Sequence, residues 1–407
     1  MVPEFLKQVR PKYWLILIIL LSAFLRLYRL DYPNKYVFDE VYHGFTAKEF
    51  LANHKEAWEW WTTPPQGVAY EWTHPPLAKE IMAASMFLLH SQDAWTFRLP
   101  GVLLNVLSVY LVYLLGLKLL NNQPASLIAA FVFSIDGLNF VQSRTGMNDI
   151  YYITFFLISL LLLLNKRFTL SAILLGLALS SKWAVIYAYL IFIPLLLQSK
   201  QYRSIIYFII FPPLIYLISY LPFFLLGHTP TQFIQLQQQM WWYHTNLKAT
   251  HPYSSPWWSW PLNLYPVWYF VDYRNNTMAN IFASGNPVVF WLGTASIILT
   301  AWEAFKRGSF SLIFIVLGFL VFWAPWAFSP RIMFLYHFSP SVPFLSLSLA
   351  YQLGIELKNP KRRKYVYILL ALMLLSFILI FPFLTAIHLP REFIKLFFVF
   401  NLSKNPF

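Results

Sequence analysis

The 407 residues are 58% hydrophobic and 20% aromatic but only 11% charged, with a mean hydropathy of +0.55. That balance excludes both a disordered chain and an ordinary soluble domain, because one aqueous core cannot enclose so much apolar surface. The absence of cysteine excludes disulfides, thiolate metal sites and cysteine nucleophiles. The formal charge of +14 calls for no nucleic acid, since membrane lipids with anionic headgroups attract Lys and Arg at the bilayer surface.

A helix of roughly 20 apolar residues crosses a hydrocarbon layer with its backbone hydrogen bonds satisfied internally. The hydrophobic runs predict such spans over 13–30, 99–119, 125–142, 146–164, 169–181, 183–198, 204–226, 287–305, 310–328, 336–355 and 365–387. The fold class expected is therefore an all-α polytopic membrane protein with eleven spans. Residues 169–181 are short for a full crossing and predict a tilted, broken or joined helix. Basic residues before the first span resemble a signal peptide, but no small-residue cleavage pattern follows, so the span reads as a retained helix. Alternate short connections carry Lys7, Arg10 and Lys12; Lys118; Lys166 and Arg167; Lys200 and Arg203; Lys306 and Arg307; and Lys358 with Lys361 to Lys364. The positive-inside bias puts these connections and the N-terminus in the cytoplasm and the C-terminus outside.

The long connections 31–98 and 227–286 then fall on the exterior. Stretches of that length predict helices of their own lying at the interface. Residues 45–61 are one candidate, with Phe50, Trp58 and Trp61 facing the membrane while Lys48, Glu49, Lys55 and Glu56 stay wet; residues 75–89, introduced by two prolines, are another. No soluble domain or internal repeat is visible, so 1–407 reads as a single integral membrane domain.

The chemistry-bearing residues collect in these exterior segments. Asp39 and Glu40 are adjacent carboxylates just beyond the first span, able to serve as a general base or simply as solvated, helix-capping groups. His74 precedes two residues of an ordered-looking Pro-Pro turn, and one histidine is no metal site. Asp136 and Arg144, near the end of the third span, read as an ion pair or as cavity-facing groups. Lys182 either neutralises a phosphate or snorkels. In the second long connection His251, Tyr253 and Trp257 belong to an aromatic and hydroxyl cluster that can cover a sugar or anchor the interface. Arg331, near Tyr336 and His337, offers a planar donor fork suited to a phosphate.

Phe38-Asp39-Glu40-Val41, His74-Pro75-Pro76-Leu77, Asp136-Gly137 with Ser143-Arg144 and Asn148-Asp149, Ser181-Lys182-Trp183, His251-Pro252-Tyr253 with Ser255-Pro256-Trp257, Gly285-Asn286-Pro287 and Pro330-Arg331 with Tyr336-His337 together resemble the protein O-mannosyltransferase family. The resemblance implies a GT-C membrane glycosyltransferase that takes mannose from a polyprenyl-phosphate donor on the exterior face and passes it, with inversion, to a Ser or Thr hydroxyl of an exported protein. It implies Asp39 as the base with Glu40 supporting the loop, and Arg144 and Arg331, then Lys182 and His337, as donor-phosphate ligands. His74, Asp136, Asn148, Asp149, His251, Tyr253, Trp257, Asn286 and Tyr336 would support substrate or loops, with no metal or cofactor required. Residues 227–286 leave no room for the soluble repeat domain of eukaryotic members, Ala78 stands where the family often has glycine, and Tyr42-His43 modifies the first motif; these features resemble a compact prokaryotic relative. Transfer of aminoarabinose or another lipid-linked sugar to a lipid or glycan is the enzyme alternative, and a transporter is the alternative of another class.

Overall fold

The computed structural model describes residues 10–393. Lys7 and the two chain ends, whose sidedness the charge pattern predicts, lie outside them. The order is α1 (Pro11–Leu27), α2 (His43–Leu51), α3 (Leu77–Leu88), α4 (Ala94–Leu120), α5 (Gln123–Ser134), α6 (Gly137–Arg144), α7 (Asp149–Leu164), α8 (Phe168–Leu179), α9 (Tyr189–Gln198), α10 (Ile205–Ser219), α11 (Leu221–Leu225), α12 (Pro230–Asn246), strands β1 (Val267–Arg274) and β2 (Thr277–Ala283), α13 (Pro287–Arg307), α14 (Phe310–Trp323), α15 (Val342–Glu356), α16 (Arg363–Leu384) and the short strand β3 (Leu389–Pro390).

All eleven predicted hydrophobic segments are helical. By length and apolarity five can each cross a membrane unaided, and a sixth forms if α5 and α6, bent by 56° across a short break, count as one span. The predicted span 125–142 is therefore broken. Asp136 causes the break: its carboxylate accepts from the backbone N–H of Leu138 (3.2 Å) and Asn139 (2.7 Å), capping a new helix instead of continuing the old one. Gly137 follows because a Cβ there would lie 2.4 Å from the Ser284 carbonyl oxygen at the end of β2. Other starts obey the same chemistry. Thr229 and Gln232 form a reciprocal capping box at α12, and Asn286 caps α13 ahead of Pro287.

Two stretches, 132–154 and 334–350, are buried without interruption and form the centre of the molecule. The lipid-facing helices by contrast expose Leu20, Phe24, Ile209, Trp291, Phe305 and Ile378. The first long connection contains α2, a 3-10 turn at Lys55–Trp58 and α3, close to the two helices predicted there. The second contains α12 and, unforeseen in the sequence, an antiparallel β1–β2 hairpin turning at Asn275-Asn276, with β3 paired to β2. The connections pack together through Trp58, Tyr220, Phe223, Leu236 and Met240. At the far ends of the helices, Lys118 donates to Asn165 at 3.0 Å, and Asn121, Arg307 and Lys358 line one cavity of about 190 Å³. The basic connections at Lys118, Arg307 and Lys358 are thus neighbours.

Candidate active site

Asp39 sits on a 3-10 turn, Phe38–Val41, directly after the loop that leaves α1. Phe38 adopts a positive φ of 50°, a conformation that a bulky L-residue holds only when its surroundings enforce it. The enforcement is aromatic: the Phe38 ring stacks on Tyr269 of β1 at 4.1 Å and 8°, with Tyr336 edge-on at 6.1 Å. The hairpin missing from the sequence reading is thus what fixes the Asp39 turn.

The two adjacent carboxylates have opposite surroundings. Glu40 is wholly buried; Arg98 donates Nε–H to its Oε1 and Nη2–H to its Oε2, both at 2.7 Å, while the backbone N–H groups of Val37 (2.8 Å) and Gly146 (2.9 Å) supply two more bonds. Arg98 spends its remaining donors on the carbonyls of Leu30, Pro33 and Lys35. Glu40 is therefore a fastening that ties the first connection to the loop before α7. Asp39 keeps some solvent access, and its carboxylate accepts no hydrogen bond from the described residues. Burial among protein atoms, reinforced by the negative charges of Glu71 and Asp149 and opposed by Lys182 and Arg331, pushes the Asp39 carboxyl up to about 7. A carboxylate in that range suits proton acceptance near neutrality.

Two cations border it. Lys182, just past α8, pairs with Asp149 at the start of α7 through 2.9 and 3.0 Å contacts, with Tyr152 and Tyr336 rings each 5.9 Å away. Arg331 lies over the Tyr243 ring at 5.2 Å and donates Nη1–H to Nδ1 of His244, while its Nε has no partner among the described residues. His244 donates Nε2–H to the Thr73 carbonyl at 2.8 Å. Burial, together with the Arg331 charge, holds the His244 imidazole down at about 4, so it stays neutral and can accept from the guanidinium. Arg331 is thereby aimed by α12, in the second connection, through a residue that no sequence motif singled out.

The first connection closes the other side. Glu71 accepts from the backbone N–H of His74 (2.9 Å) and faces the rings of His74 (3.1 Å) and His43 (3.5 Å), and Lys79 donates to the carbonyls of Glu71 and His74. Burial holds His43 down at about 4 and His74 below its ordinary value. Leu77 N–H donates to the Ser180 carbonyl at 3.0 Å, joining this segment to α8 beside Lys182.

The structure thus gathers Asp39, His74, Asp149, Lys182, Arg331 and Tyr336 in one cluster, with the His251 ring 6.5 Å from the Phe38 ring. It assigns other predicted residues to the scaffold. No Asp136–Arg144 ion pair forms: Asp136 caps α6, and Arg144 donates to the carbonyls of Leu25 (3.0 Å), Arg26 (2.7 Å) and Arg29 (3.3 Å), which anchors it to the end of α1. His337 is packed by Trp326 (4.3 Å) and Trp260 (5.9 Å), its Nδ1 2.9 Å from the Phe334 carbonyl, which makes it the floor beneath Tyr336. Asn286 donates to the carbonyls of Ile135 and Met373; Trp257 packs on Trp323, and Tyr253 on Trp268. Arg98, Glu71, His244 and Tyr269 are the residues that the sequence list missed. Only Arg98 carried a clear signal, because an arginine at the mouth of an apolar helix must find a partner.

A bundle of apolar helices carrying this polar cluster beside two long connections is the architecture of membrane glycosyltransferases of the GT-C fold. The same fold appears in the Saccharomyces cerevisiae protein O-mannosyltransferase Pmt1–Pmt2 complex bound to its sugar donor (TM-score 0.77, 16% identity, 98% of this chain and 92% of that one) and in ArnT from Cupriavidus metallidurans bound to undecaprenyl phosphate (TM-score 0.62, 15% identity, 88% and 63%). The dolichyl-phosphate-mannose-protein mannosyltransferase family model matches residues 16–245, and the C-terminal four-transmembrane region of protein O-mannosyltransferases matches 229–396. The chain belongs to the dolichyl-phosphate-mannose-protein mannosyltransferase family. It is 24% identical to the polyprenol-phosphate-mannose–protein mannosyltransferases of Mycobacterium tuberculosis (91% of this chain, 87% of that protein) and Mycolicibacterium smegmatis (96% and 92%). An enzyme family leaves no place for the transporter reading.

Proposed function

We propose that this cluster transfers mannose from a polyprenyl-phosphate-mannose donor to a Ser or Thr hydroxyl of an exported protein, inverting the anomeric carbon. The observation that carries the reading is one unbonded carboxyl, Asp39, flanked by two oriented cations, Lys182 and Arg331. Asp39 takes the acceptor hydroxyl proton as the oxygen bonds to the anomeric carbon. The bond from that carbon to the phosphate oxygen breaks, leaving polyprenyl phosphate, and Arg331 and Lys182 stabilise the charge the phosphate gains.

The test is transfer by purified protein in liposomes. Polyprenyl-phosphate-mannose with Ser/Thr peptides should yield mannosyl peptide of inverted anomer, whereas aminoarabinosyl donors with lipid acceptors should yield none; the reverse preference would sink the assignment. The cluster is proposed to face the exterior, with the basic connections in the cytoplasm. Single cysteines placed in this cysteine-free chain should react with impermeant reagent in intact cells at 39–90 but not at 361–364, and the opposite labelling would invert the topology.

A further inference from the structure

Two buried amides beside the Asp39 turn hold hydrogen-bonding capacity that the protein leaves unused. Gln142, in α6, is fully buried; its Oε1 accepts from the Tyr269 hydroxyl at 3.1 Å, but its Nε2 has no acceptor among the described residues. Asn148, directly before Asp149, is 1% exposed, and among the buried amides of the described residues it is the one with neither Oδ1 nor Nδ2 bonded. Burying an unmet amide is costly. The buried Asn286, by contrast, donates to two carbonyls and accepts a backbone N–H, whereas Asn105, Asn139, Gln237 and Asn280 each leave one amide atom unmet and use the other.

Both amides are fastened to the reacting centre. Tyr269, which holds Gln142, is the ring stacked on Phe38, the residue before Asp39. Gly146 N–H is bonded to Glu40, the residue after Asp39, so the loop 145–148 is pinned to the same turn, and Asp149 pairs with Lys182. A hexosyl group is the ligand chemistry that matches: several hydroxyls, each donor and acceptor, around a ring whose C–H faces suit aromatic cover. Phe38, Tyr269 and Tyr336 form an aromatic cluster beside the same turn.

We infer that Gln142 and Asn148 read the hydroxyls of the transferring sugar, Gln142 donating through Nε2 and Asn148 both donating and accepting. The inference rests on the lipid-linked-sugar reading above and adds to it the residues that select the sugar. Neither amide moves a proton; each positions the ring against Asp39.

The experiment measures kcat/KM for the full chain with polyprenyl-phosphate-mannose and with a series of donors each lacking one ring hydroxyl. Gln142→Met and Asn148→Ala should each lose about ten- to a hundred-fold with the complete mannosyl donor. Each should also show one deoxy donor on which it matches the wild type, because there the wild type has already lost the same bond. Equal losses across every donor, or no loss at all, overturn the inference and make the amides merely structural. Thermal unfolding is followed in parallel, and a variant that fails to fold is replaced by Gln142→Glu or Asn148→Asp, which keep the shape, remove an amide donor and must meet the same criterion. A wild type that uses no polyprenyl-phosphate hexose removes the functional reading and this inference with it; a wild type that is active, with no donor crossover in the variants, removes this inference alone.

Discussion

Arg331 and Arg144 are both arginines near the polar ends of apolar helices, yet they lie in regions built on opposite plans. Arg98 gives every guanidinium donor to Glu40 or to a backbone carbonyl, and Arg144 gives its Nη1 and Nη2 groups to carbonyls at the end of α1, so the buried charge there is compensated by the chain itself. Around Arg331, Lys182 and Asp39 charges are oriented but not exhausted: Arg331 keeps an unpartnered Nε, and Asp39 accepts from no described group. A saturated cation holds a fold together; an aimed and unsaturated one is available to substrate. Residue type alone cannot make the distinction, because it depends on which carbonyls the chain brings near.

The largest expected effect tests the open region. Asp39→Asn keeps the side-chain shape and removes the base, so transfer should fall about 10²–10⁴-fold while donor binding persists. Wild-type transfer by this variant, measured with purified protein, would move the base elsewhere.

Next comes the closed region. Arg98→Ala leaves the fully buried Glu40 carboxylate without its two 2.7 Å bonds, which should cost about 3–5 kcal/mol of stability. Chemical denaturation in detergent measures it. A stable Arg98→Ala protein with selectively impaired turnover would erase the line drawn between the regions.

The two arginines can also be compared directly. Arg331→Ala should lower turnover about 10²–10³-fold with little change in unfolding, since it removes a charge that acts on the departing phosphate. Arg144→Ala should instead lower the unfolding midpoint, with the remaining folded protein nearly as active as the wild type. An exchange of these phenotypes would return Arg144 to the phosphate.

How much of this was legible in sequence follows from the same contrast. The apolar runs, Asp39, Lys182 and Arg331 announce themselves locally, by composition or by a short motif. Partners distant in sequence do not: Arg98 is 58 residues from Glu40, and His244 is 87 from Arg331. The β-hairpin was hidden for another reason. Residues of β2 from Met278 to Ala283 are buried, paired to β1 at the edge and packed by α16 and α6, so the strand lacks the alternation that marks a half-exposed one, and only Asn275-Asn276, with Asn275 at φ 43°, signalled the turn. Asp136 was recognised as important but given the wrong partner, since a helix cap and an ion pair look alike until the helix break is seen.

The smallest effect sharpens the comparison most, because it reads one group in the open region. With Asp39 near 7 against about 3.8 for an ordinary aspartate, kcat/KM should fall about tenfold per pH unit below 7. His43 and His244, both near 4, remain neutral across that range and contribute no step of their own. The sign for stability is opposite to that for activity. Between about pH 4 and 7 an unfolded chain has released the Asp39 proton while the folded one retains it, so stability falls as pH rises through the window. Asp39→Asn has no proton to release there; its unfolding midpoint should pull ahead of the wild type as pH climbs from 4 to 7 and hold a constant lead above. A lead that does not change with pH would mean that Asp39 titrates like a solvated carboxylate, and its environment would no longer account for its role as base.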